Sequence, residues 1–219
     1  MGAESPEPGG GPSPRRGRRR TMPVEERRSH ILAAALDVFS RQGFAQARLD
    51  DVARQAGIAK GTVYLYFPTK EALFEELIRS AVTPVLSQVE AMAAAEGMPF
   101  QVFIGRLLET FRTEVLGSER RKVLQLLLRE GAQFPGVAAF YHREVVSRGL
   151  RLLKGMATRA VERGELASDA AARFPHLIMA PLILCVLWEG LFGHVEPLDV
   201  EGLLAAHGEL LTSGSGRRP

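Results

Sequence analysis

The sequence predicts an all-α protein with a small N-terminal three-helix unit and a larger C-terminal helical domain. Along most of the chain, apolar residues recur at positions i, i+3, i+4 and i+7, which places them on one face of a helix. Gly and Pro residues separate these periodic segments, and no stretch shows the strict alternation of apolar and polar residues that marks a half-buried strand. A length of 219 residues with a hydrophobic fraction of 46% is sufficient for a substantial core.

The N-terminal segment contains a low-complexity tail followed by the first helix. Residues 1–20 are rich in Arg, Pro and Gly, a composition that cannot form a packed core, and are predicted to be disordered. The helix is predicted to begin near Pro23, which suits a first helical turn, and to end at Gly43. Its buried stripe is expected to consist of Ile31, Ala35, Val38 and Phe39.

Residues 48–70, RLDDVARQAGIAKGTVYLYFPTK, predict two short helices joined by a tight turn. The first helix is expected at about 49–56, where four apolar residues share one face: Leu49, Val52, Ala53 and Ala56. Gly57 follows at once, because a residue that accepts a positive φ ends a helix at low cost.

The second short helix of this segment is expected at about 60–67. Val63 and Phe67 should face the core, and Pro68 should stop the helix because proline biases the preceding residue away from the helical region. Two helices of this length around a Gly-containing turn match the helix-turn-helix unit. The second helix of such a unit lies in the major groove of DNA.

Five residues of the second helix are expected to face outward and suit contact with nucleic acid: Lys60, Gly61, Thr62, Tyr64 and Tyr66. Hydroxyl and phenol groups bond to phosphate oxygens, and Lys60 supplies a cation for a phosphate or a guanine edge. Gly61 lets the backbone approach DNA closely, and Lys70 can reach a phosphate from the start of the next helix. For each residue alone, an ordinary half-buried aromatic or a solvated charge is an equally good interpretation. For the whole string at this spacing it is a much poorer one.

The string AGIAKGTVYLYFPTKEALF resembles the DNA-binding signature of TetR-type bacterial transcriptional regulators, the TetR/AcrR family. The similarity covers roughly residues 27–78, and the rest of the chain resembles the family in length, helical content and layout. The resemblance implies an all-α homodimer whose N-terminal domain binds a palindromic operator and whose C-terminal domain holds a small ligand and the dimer interface. By position, it places the family's DNA contacts on Arg48, Lys60, Gly61, Thr62, Tyr64, Tyr66 and Lys70. Two departures, Ala59 where Ser is common and Arg48 where Thr or Ser is frequent, leave the operator sequence open.

The remaining pattern predicts a long helix followed by a helical C-terminal domain. The long helix should begin near Thr69, whose hydroxyl can cap it, and Pro84 should kink or divide it. Further helical patterns lie at about 99–116, 118–133, 136–164, 169–192 and 199–212. The predicted domains are a tail at 1–20, a helix-turn-helix domain at 21–68, a ligand-binding and dimerisation domain at 69–212, and a flexible C-terminus at 213–219.

The charge distribution leaves DNA binding to the local placement of cations. The formal net charge is +3, and residues 1–20 alone hold five Arg and two Glu. Residues 21–80 balance at eight basic against eight acidic residues, so a globally basic domain is not the basis of binding. The RRGRRR run of the tail is expected to be solvated, and it could also reach the minor groove or phosphates, as arms of other helix-turn-helix proteins do.

The last two helices are predicted to form a homodimer interface. The segment 174–192 is apolar nearly all round and must therefore be buried, either within its own subunit or partly against a symmetry mate. Four leucines of the last helix are expected to join it: Leu203, Leu204, Leu210 and Leu211. The resemblance favours the dimer, and so does geometry, because two DNA-recognition helices about 34–36 Å apart can bind the two half-sites of a palindrome.

A small-molecule pocket is expected in the C-terminal domain because the resembling family usually has one. The candidate lining residues are Phe103, Leu107, Phe111, Leu128, Phe134, Tyr141, His176 and Trp188. Apolar stripes at helical spacing are equally typical of an ordinary core, so the residues alone do not display the pocket. The apolar majority predicts a small, hydrophobic effector.

Other classes of function find little support in the sequence. The His spacing suits no metal, the single Cys185 rules out a thiolate cluster, and no nucleophile motif or Rossmann fingerprint is visible, so neither a cofactor nor an enzyme is expected. The longest apolar run, 177–188, is shorter than the roughly 20 residues of a membrane span, and a cytoplasmic, nucleoid-associated location is expected. The favoured interpretation is a ligand-responsive repressor that binds double-stranded DNA. The alternative is a DNA-binding architectural or nucleoid-associated factor without an inducer.

Overall fold

A computed structural model describes residues 22–213, so the predicted disordered tail and all but the first residue of the predicted flexible C-terminus lie outside the described part. Within that part the chain forms helices and no strand, which confirms the all-α class. The α-helices are α1 Val24–Gln42, α2 Leu49–Gln55, α3 Lys60–Tyr66, α4 Lys70–Ala94, α5 Phe100–Thr110, α6 Arg120–Glu130, α7 Pro135–Tyr141, α8 Ser147–Glu162, α9 Ala170–Arg173, α10 His176–Leu191 and α11 Val200–Thr212.

The ends of the first four helices follow local chemistry. Gly43 and Gly57 adopt φ values of 78° and 63°, a region that side chains with a Cβ rarely enter, and each allows the chain to leave a helix. The Asp51 carboxylate accepts a hydrogen bond from the backbone N–H of Arg48 at 3.3 Å and so ties the start of α2. The Thr69 hydroxyl accepts from the backbone N–H of Ala72 at 3.1 Å, which confirms the predicted cap of α4.

Two predicted segments can be compared with the observed helices. Pro84 lies inside α4, which continues to Ala94, so the helix is not divided, and the alternative of a kink stays a prediction. The expected single helix at 169–192 is broken into α9 and α10, because Pro175 prevents Phe174 from adopting the helical conformation.

Two hydrophobic clusters form the core of the molecule. The first, called here the reading-head core, is centred on four aromatic rings: Phe39, Phe44, Phe74 and Phe134. It does not stop at residue 68, because buried residues of α4, α6 and α7 belong to it. The second, the C-terminal core, is built from α4, α5, α6, α8, α10 and α11. The helix-turn-helix unit is therefore seated directly on parts of the C-terminal domain.

The contact between α1 and α6 also contains a buried charge. The Glu130 side chain is buried, and its Oε1 accepts a hydrogen bond from Nε of Arg129 at 3.0 Å. Arg129 in turn donates from Nη2 to the backbone carbonyl of Phe39 at 3.3 Å. A paired carboxylate is needed here, because an unpaired buried charge would be costly.

Candidate DNA-binding surface and ligand cavity

Helix α3 is held by one buried face and presents the other to solvent. Val63 and the following Phe67 are buried in the reading-head core, as predicted, and Ile58 packs against this core before the helix begins. Lys60, Gly61 and Tyr64 lie on the exposed side. Two other predicted contact residues, Thr62 and Tyr66, are only half exposed, and Tyr66 packs against the core. The outward surface of α3 is thus a narrow strip of polar groups.

An unanticipated carboxylate lies against this strip. Asp50, in the first turn of α2, accepts a hydrogen bond from Nζ of Lys60 at 2.7 Å through Oδ2 and another from the Tyr64 hydroxyl at 3.3 Å through Oδ1. Nζ of Lys60 is also 5.8 Å from the centroid of the Tyr64 ring. The hydrogen bond from Lys60 holds the pKa of Asp50 below its usual value, and Asp50 raises the pKa of Lys60. Two predicted DNA contacts are therefore already paired within the protein.

Lys70 has internal partners as well. Its Nζ donates to the backbone carbonyls of Phe44 at 2.9 Å and Ala45 at 2.8 Å, with Ala47 at 3.5 Å, and lies 4.8 Å from the centroid of the Phe44 ring. In this arrangement Lys70 fixes the loop between α1 and α2. A contact between Lys70 and a phosphate remains a prediction, and it would require at least one of these bonds to be exchanged.

The exposed strip includes one residue that the sequence interpretation did not select. Leu65 lies next to Tyr64 on α3, and 85% of its surface is exposed. Only solvent or a partner can face such a side chain, and an apolar group on this kind of helix can contact the methyl group of thymine. The sequence alone could have predicted this exposure, because Leu65 does not lie on the helix face that Val63 and Phe67 bury. Arg48, also exposed, lies beside the strip at the start of α2.

A cavity of about 480 Å³ lies within the C-terminal domain, between α4, α5, α6, α8 and α10. A volume in this range is usual for sites that bind small molecules. The apolar residues that define its walls include Val82, Val85, Leu86, Val89, Leu107, Phe111, Leu124, Leu150, Leu153, Met179 and Ile183. Two π-helical turns, Phe111–Leu116 and His142–Val146, also contribute lining residues, and such turns often mark functional sites.

The structure brings together four of the eight residues expected at the pocket. Leu107, Phe111, Tyr141 and His176 line the cavity. The other four lie elsewhere: Phe103 is fully buried in the C-terminal core, Leu128 faces outward, Phe134 packs edge-on against Phe44 at 4.7 Å, and Trp188 donates from Nε1 to the carbonyl of Glu196 at 2.8 Å. Helical spacing identifies an apolar face but not which neighbour that face meets, and this explains why the other four do not line the cavity.

Comparison with known proteins agrees with this arrangement. Residues 31–77 match the family described as "Bacterial regulatory proteins, tetR family", and residues 104–206 match "Tetracyclin repressor-like, C-terminal domain". The chain belongs to the tetR family. The DNA-binding unit is the part already located on α1 to α3, and the protein is a DNA-binding transcriptional regulator.

Individual relatives place this tetR-family regulator among HTH-type regulators rather than enzymes. It is 31% identical over 186 residues to the HTH-type transcriptional repressor BepR of Brucella suis biovar 1 (strain 1330), covering 80% of this chain and 86% of BepR. It is 26% identical over 179 residues to the HTH-type transcriptional regulator AcrR of Shigella flexneri, covering 80% and 83%. The fold is similar to that of FadR from Bacillus subtilis in complex with stearoyl-CoA, with a TM-score of 0.72, 24% identity, and coverage of 85% of this chain and 98% of FadR.

Helix α10 of this tetR-family protein leaves an apolar face uncovered. Leu177, Leu184 and Leu191 recur every seven residues along it, and each is at least two-fifths exposed. Leu210 on α11 is 76% exposed, whereas Leu204 on the same helix is buried within its own subunit, and Leu203 and Leu211 are half-buried against the C-terminal core. The segment expected to be apolar all round therefore has one face in the core and one face in solvent.

Three further findings concern the part of the regulator between residues 22 and 213. No helix there is long and apolar enough to cross a membrane. No group of three or more His, Cys, Asp or Glu side chains is placed to hold a metal ion. Cys185 is buried, and burial raises the pKa of its thiol, so the less reactive protonated form is favoured.

Proposed function

We propose that this regulator is a repressor that binds a palindromic operator as a homodimer and leaves it when a small, mainly apolar effector enters the cavity. The carrying observation is that an outward-facing α3 and an apolar cavity of about 480 Å³ rest on adjoining cores in one chain. A ligand that fits one arrangement of the C-terminal core better than another can therefore alter the position of α3. Its effect is limited to the difference between its affinities for the two arrangements.

DNA contact is assigned to the exposed strip of α3 and its neighbours. The proposed contact residues are Arg48, Lys60, Gly61, Thr62, Tyr64, Tyr66 and Lys70, as the resemblance implies. We add Leu65, whose exposed side chain suits a thymine methyl group in the major groove. Lys60 and Tyr64 would exchange Asp50 for phosphate or a base edge on binding.

Dimerisation is assigned to the exposed apolar face of α10 together with Leu210 of α11. Large contiguous apolar surface is unusual on a monomer and is expected at an interface. Pairing two copies of this face gives an isologous four-helix contact, which would set two copies of α3 on successive half-sites of a palindrome.

Effector binding is assigned to the cavity, and repression is the sign of regulation that we favour. BepR, a relative of 31% identity, is named a repressor. FadR, whose fold is similar, binds stearoyl-CoA, a molecule with a long apolar chain. The likeness to FadR supports a hydrophobic effector, and the likeness to BepR supports repression.

Operator binding is tested by selecting duplexes with the full chain from a random DNA library and measuring affinity by fluorescence anisotropy across a salt series. A palindromic consensus is expected, and Lys60→Ala should weaken binding at least tenfold. Loss of preference among sequences would place Lys60 at a base, and a uniform loss with a shallower salt slope would place it at a phosphate. Failure to enrich any palindrome would contradict the proposal.

Effector response separates this proposal from an architectural factor without an inducer. The selected duplex is titrated with extracts of apolar metabolites, and release from DNA is the expected result. DNA binding that no apolar compound alters would contradict the proposal and favour the architectural role.

The dimer is tested by light scattering after size-exclusion chromatography of Leu191→Glu. A charge placed on the α10 face should convert a dimer to a monomer, because an unpaired charge is costly in an apolar interface. Val102→Glu is the matched control, since Val102 is also an exposed apolar residue but lies on α5. A wild-type monomer, or equal effects of the two variants, would contradict the assignment.

A further inference from the structure

The Tyr141 hydroxyl is one of the few polar groups in the wall of a mainly apolar cavity. Tyr141 is the last residue of α7 and lines the cavity. Within residues 22–213 its hydroxyl has no hydrogen-bond partner. Burial raises the pKa of Tyr141 to about 12. The group is therefore a protonated donor at any physiological pH. Tyr141 is half-buried, its hydroxyl is the donor of a cavity-lining residue, and an acceptor brought by a ligand would give it a hydrogen bond in surroundings of low polarity.

The position of Tyr141 connects the cavity with the DNA-binding unit. Its ring packs against both hydrophobic clusters, and among the described residues only Val82 shares this placement. Val82 also lines the cavity. A ligand atom held at the Tyr141 hydroxyl would thus contact a side chain that belongs to the boundary between the C-terminal core and the reading-head core.

The charged groups around the cavity restrict the kind of ligand further. Among the residues that line it, Arg120 is a cation, whereas no Asp or Glu belongs to the lining. Arg120 is paired with Glu114, through Oε2 at 2.8 Å and the backbone carbonyl at 3.0 Å, and these acceptors lie outside the lining. A ligand cation would find no counter-ion in the wall and would lie near Arg120.

We propose that the effector is a mainly apolar, neutral or anionic molecule with a carbonyl or carboxylate oxygen, and that the Tyr141 hydroxyl donates a hydrogen bond to that oxygen. This inference rests on the proposed function of the cavity as the effector site and adds the chemical class of the ligand. It assigns to Tyr141 the role of the residue that determines specificity, because the remaining inner surface is almost entirely apolar.

The test uses four probes that share a twelve-carbon phenylalkyl skeleton: hexanophenone, hexylbenzene, 6-phenylhexanoate and 6-phenylhexylammonium. Hexanophenone and hexylbenzene differ only in a carbonyl in place of a methylene. Dissociation constants are measured by calorimetry for the full wild-type chain and for Tyr141→Phe, which keeps the ring and removes only the hydroxyl. Comparing the two proteins for each probe cancels the different water solubilities of the probes. Thermal melting checks that the variant is folded.

The hydroxyl should matter only to probes that carry an acceptor. Tyr141→Phe is expected to raise the dissociation constants of hexanophenone and 6-phenylhexanoate by about fivefold and to leave that of hexylbenzene unchanged. Thr110→Val, which removes a hydroxyl from another wall of the cavity, is the matched control and should affect hexanophenone and hexylbenzene alike.

Three results would overturn the inference. One is an equal affinity of wild type and Tyr141→Phe for hexanophenone. Another is tighter binding of 6-phenylhexylammonium than of 6-phenylhexanoate. The third is the absence of binding by both acceptor probes. Operator binding is measured on the same samples, so the ligand class can fail while the DNA-binding function stands, and loss of operator binding by wild type would instead remove the proposed function.

Discussion

The DNA-binding surface and the cavity differ in whether their polar side chains have hydrogen-bond partners within the protein. On the surface, Lys60 and Lys70 already have internal partners, an Asp50 carboxylate in one case and backbone carbonyls in the other. In the cavity, the Tyr141 hydroxyl has no partner among the described residues. DNA binding must therefore exchange existing bonds, whereas ligand binding would add a new one.

This difference affects how each region should respond to substitution. Exchange of partners gives small net gains in binding free energy, because a contact within the protein is lost for each contact formed with DNA. Discrimination between DNA sequences then also depends on the groups within the protein that compete with DNA for the same side chains. Binding in the cavity is sensitive to single atoms, since its wall is mainly apolar and holds few polar groups. The packing around the two regions differs as well: the reading-head core is filled by aromatic rings, and the C-terminal domain encloses empty space.

The largest effect is expected from Phe44→Ala. Phe44 is fully buried and contacts Phe39, Phe74 and Phe134, with ring centroids 4.7 to 5.4 Å away. Removing the ring should lower the free energy of unfolding by about 3–5 kcal/mol, as measured by denaturant titration. Leu150→Ala, at the cavity wall, should cost less than about 2 kcal/mol because the space beside it is already open. Similar costs at the two sites would contradict the contrast in packing.

A smaller loss of stability is expected from Lys70→Met. The methionine side chain keeps the contact with Phe44 but leaves the carbonyls of Phe44 and Ala45 without the ammonium group. The free energy of unfolding should fall by about 1–3 kcal/mol, and Lys154→Met, at an exposed position on α8, is the control. Unchanged stability with weakened binding to all duplexes would show instead that Lys70 acts mainly on phosphate.

The sequence was sufficient for the helix-turn-helix unit because its signals are local. Gly57, Pro68 and the Val63–Phe67 spacing each fix a boundary or a face without reference to distant residues, and the observed α2 and α3 agree with the predicted helices to within one residue. The Thr69 cap is local in the same sense.

The cavity depends on contacts between helices far apart in the chain, and there the sequence was a weaker guide. Phe134 and Leu107 have equally apolar surroundings in the sequence, yet one completes the reading-head core and the other lines the cavity. Asp50 and Asp51 are adjacent in the first turn of α2, yet only the Asp51 carboxylate ties the start of the helix, whereas Asp50 reaches a residue ten positions away. Such partners become apparent only when the turn between α2 and α3 has a defined geometry.

Asp50→Asn tests whether the carboxylate of Asp50 competes with DNA for Lys60. Releasing Lys60 from its carboxylate should raise affinity for non-specific duplex DNA several-fold and steepen the dependence of log K on log salt by about 0.9, the value for one additional phosphate contact. Asp51→Asn removes the same charge one residue away, where the carboxylate pairs with Arg54 at 3.2 Å. Equal changes in both variants would attribute the effect to net charge and not to Lys60.

The smallest expected effect is a shift in the pKa of Asp50, which can be followed by carbon NMR of the carboxyl group. The hydrogen bond from Lys60 is the main cause of the lowered pKa, and the Tyr64 hydroxyl contributes less. Lys60→Met should therefore raise the pKa of Asp50 toward its usual value of about 3.9, and Tyr64→Phe should raise it less. Because the folded-state pKa is the lower one, the pair stabilises the folded protein above the unfolded-state pKa, and that contribution disappears as the pH falls through the folded-state value. Neither Asp50 nor Lys60 changes its charge near neutral pH, so stability there should not change with pH through this pair. Because both side chains are largely accessible to solvent, the contribution to stability at lower pH should also be small. If Lys60→Met leaves the pKa of Asp50 unaltered, Lys60 is not paired with Asp50 in the protein without DNA. The gain in non-specific DNA binding expected from Asp50→Asn would then have no physical basis.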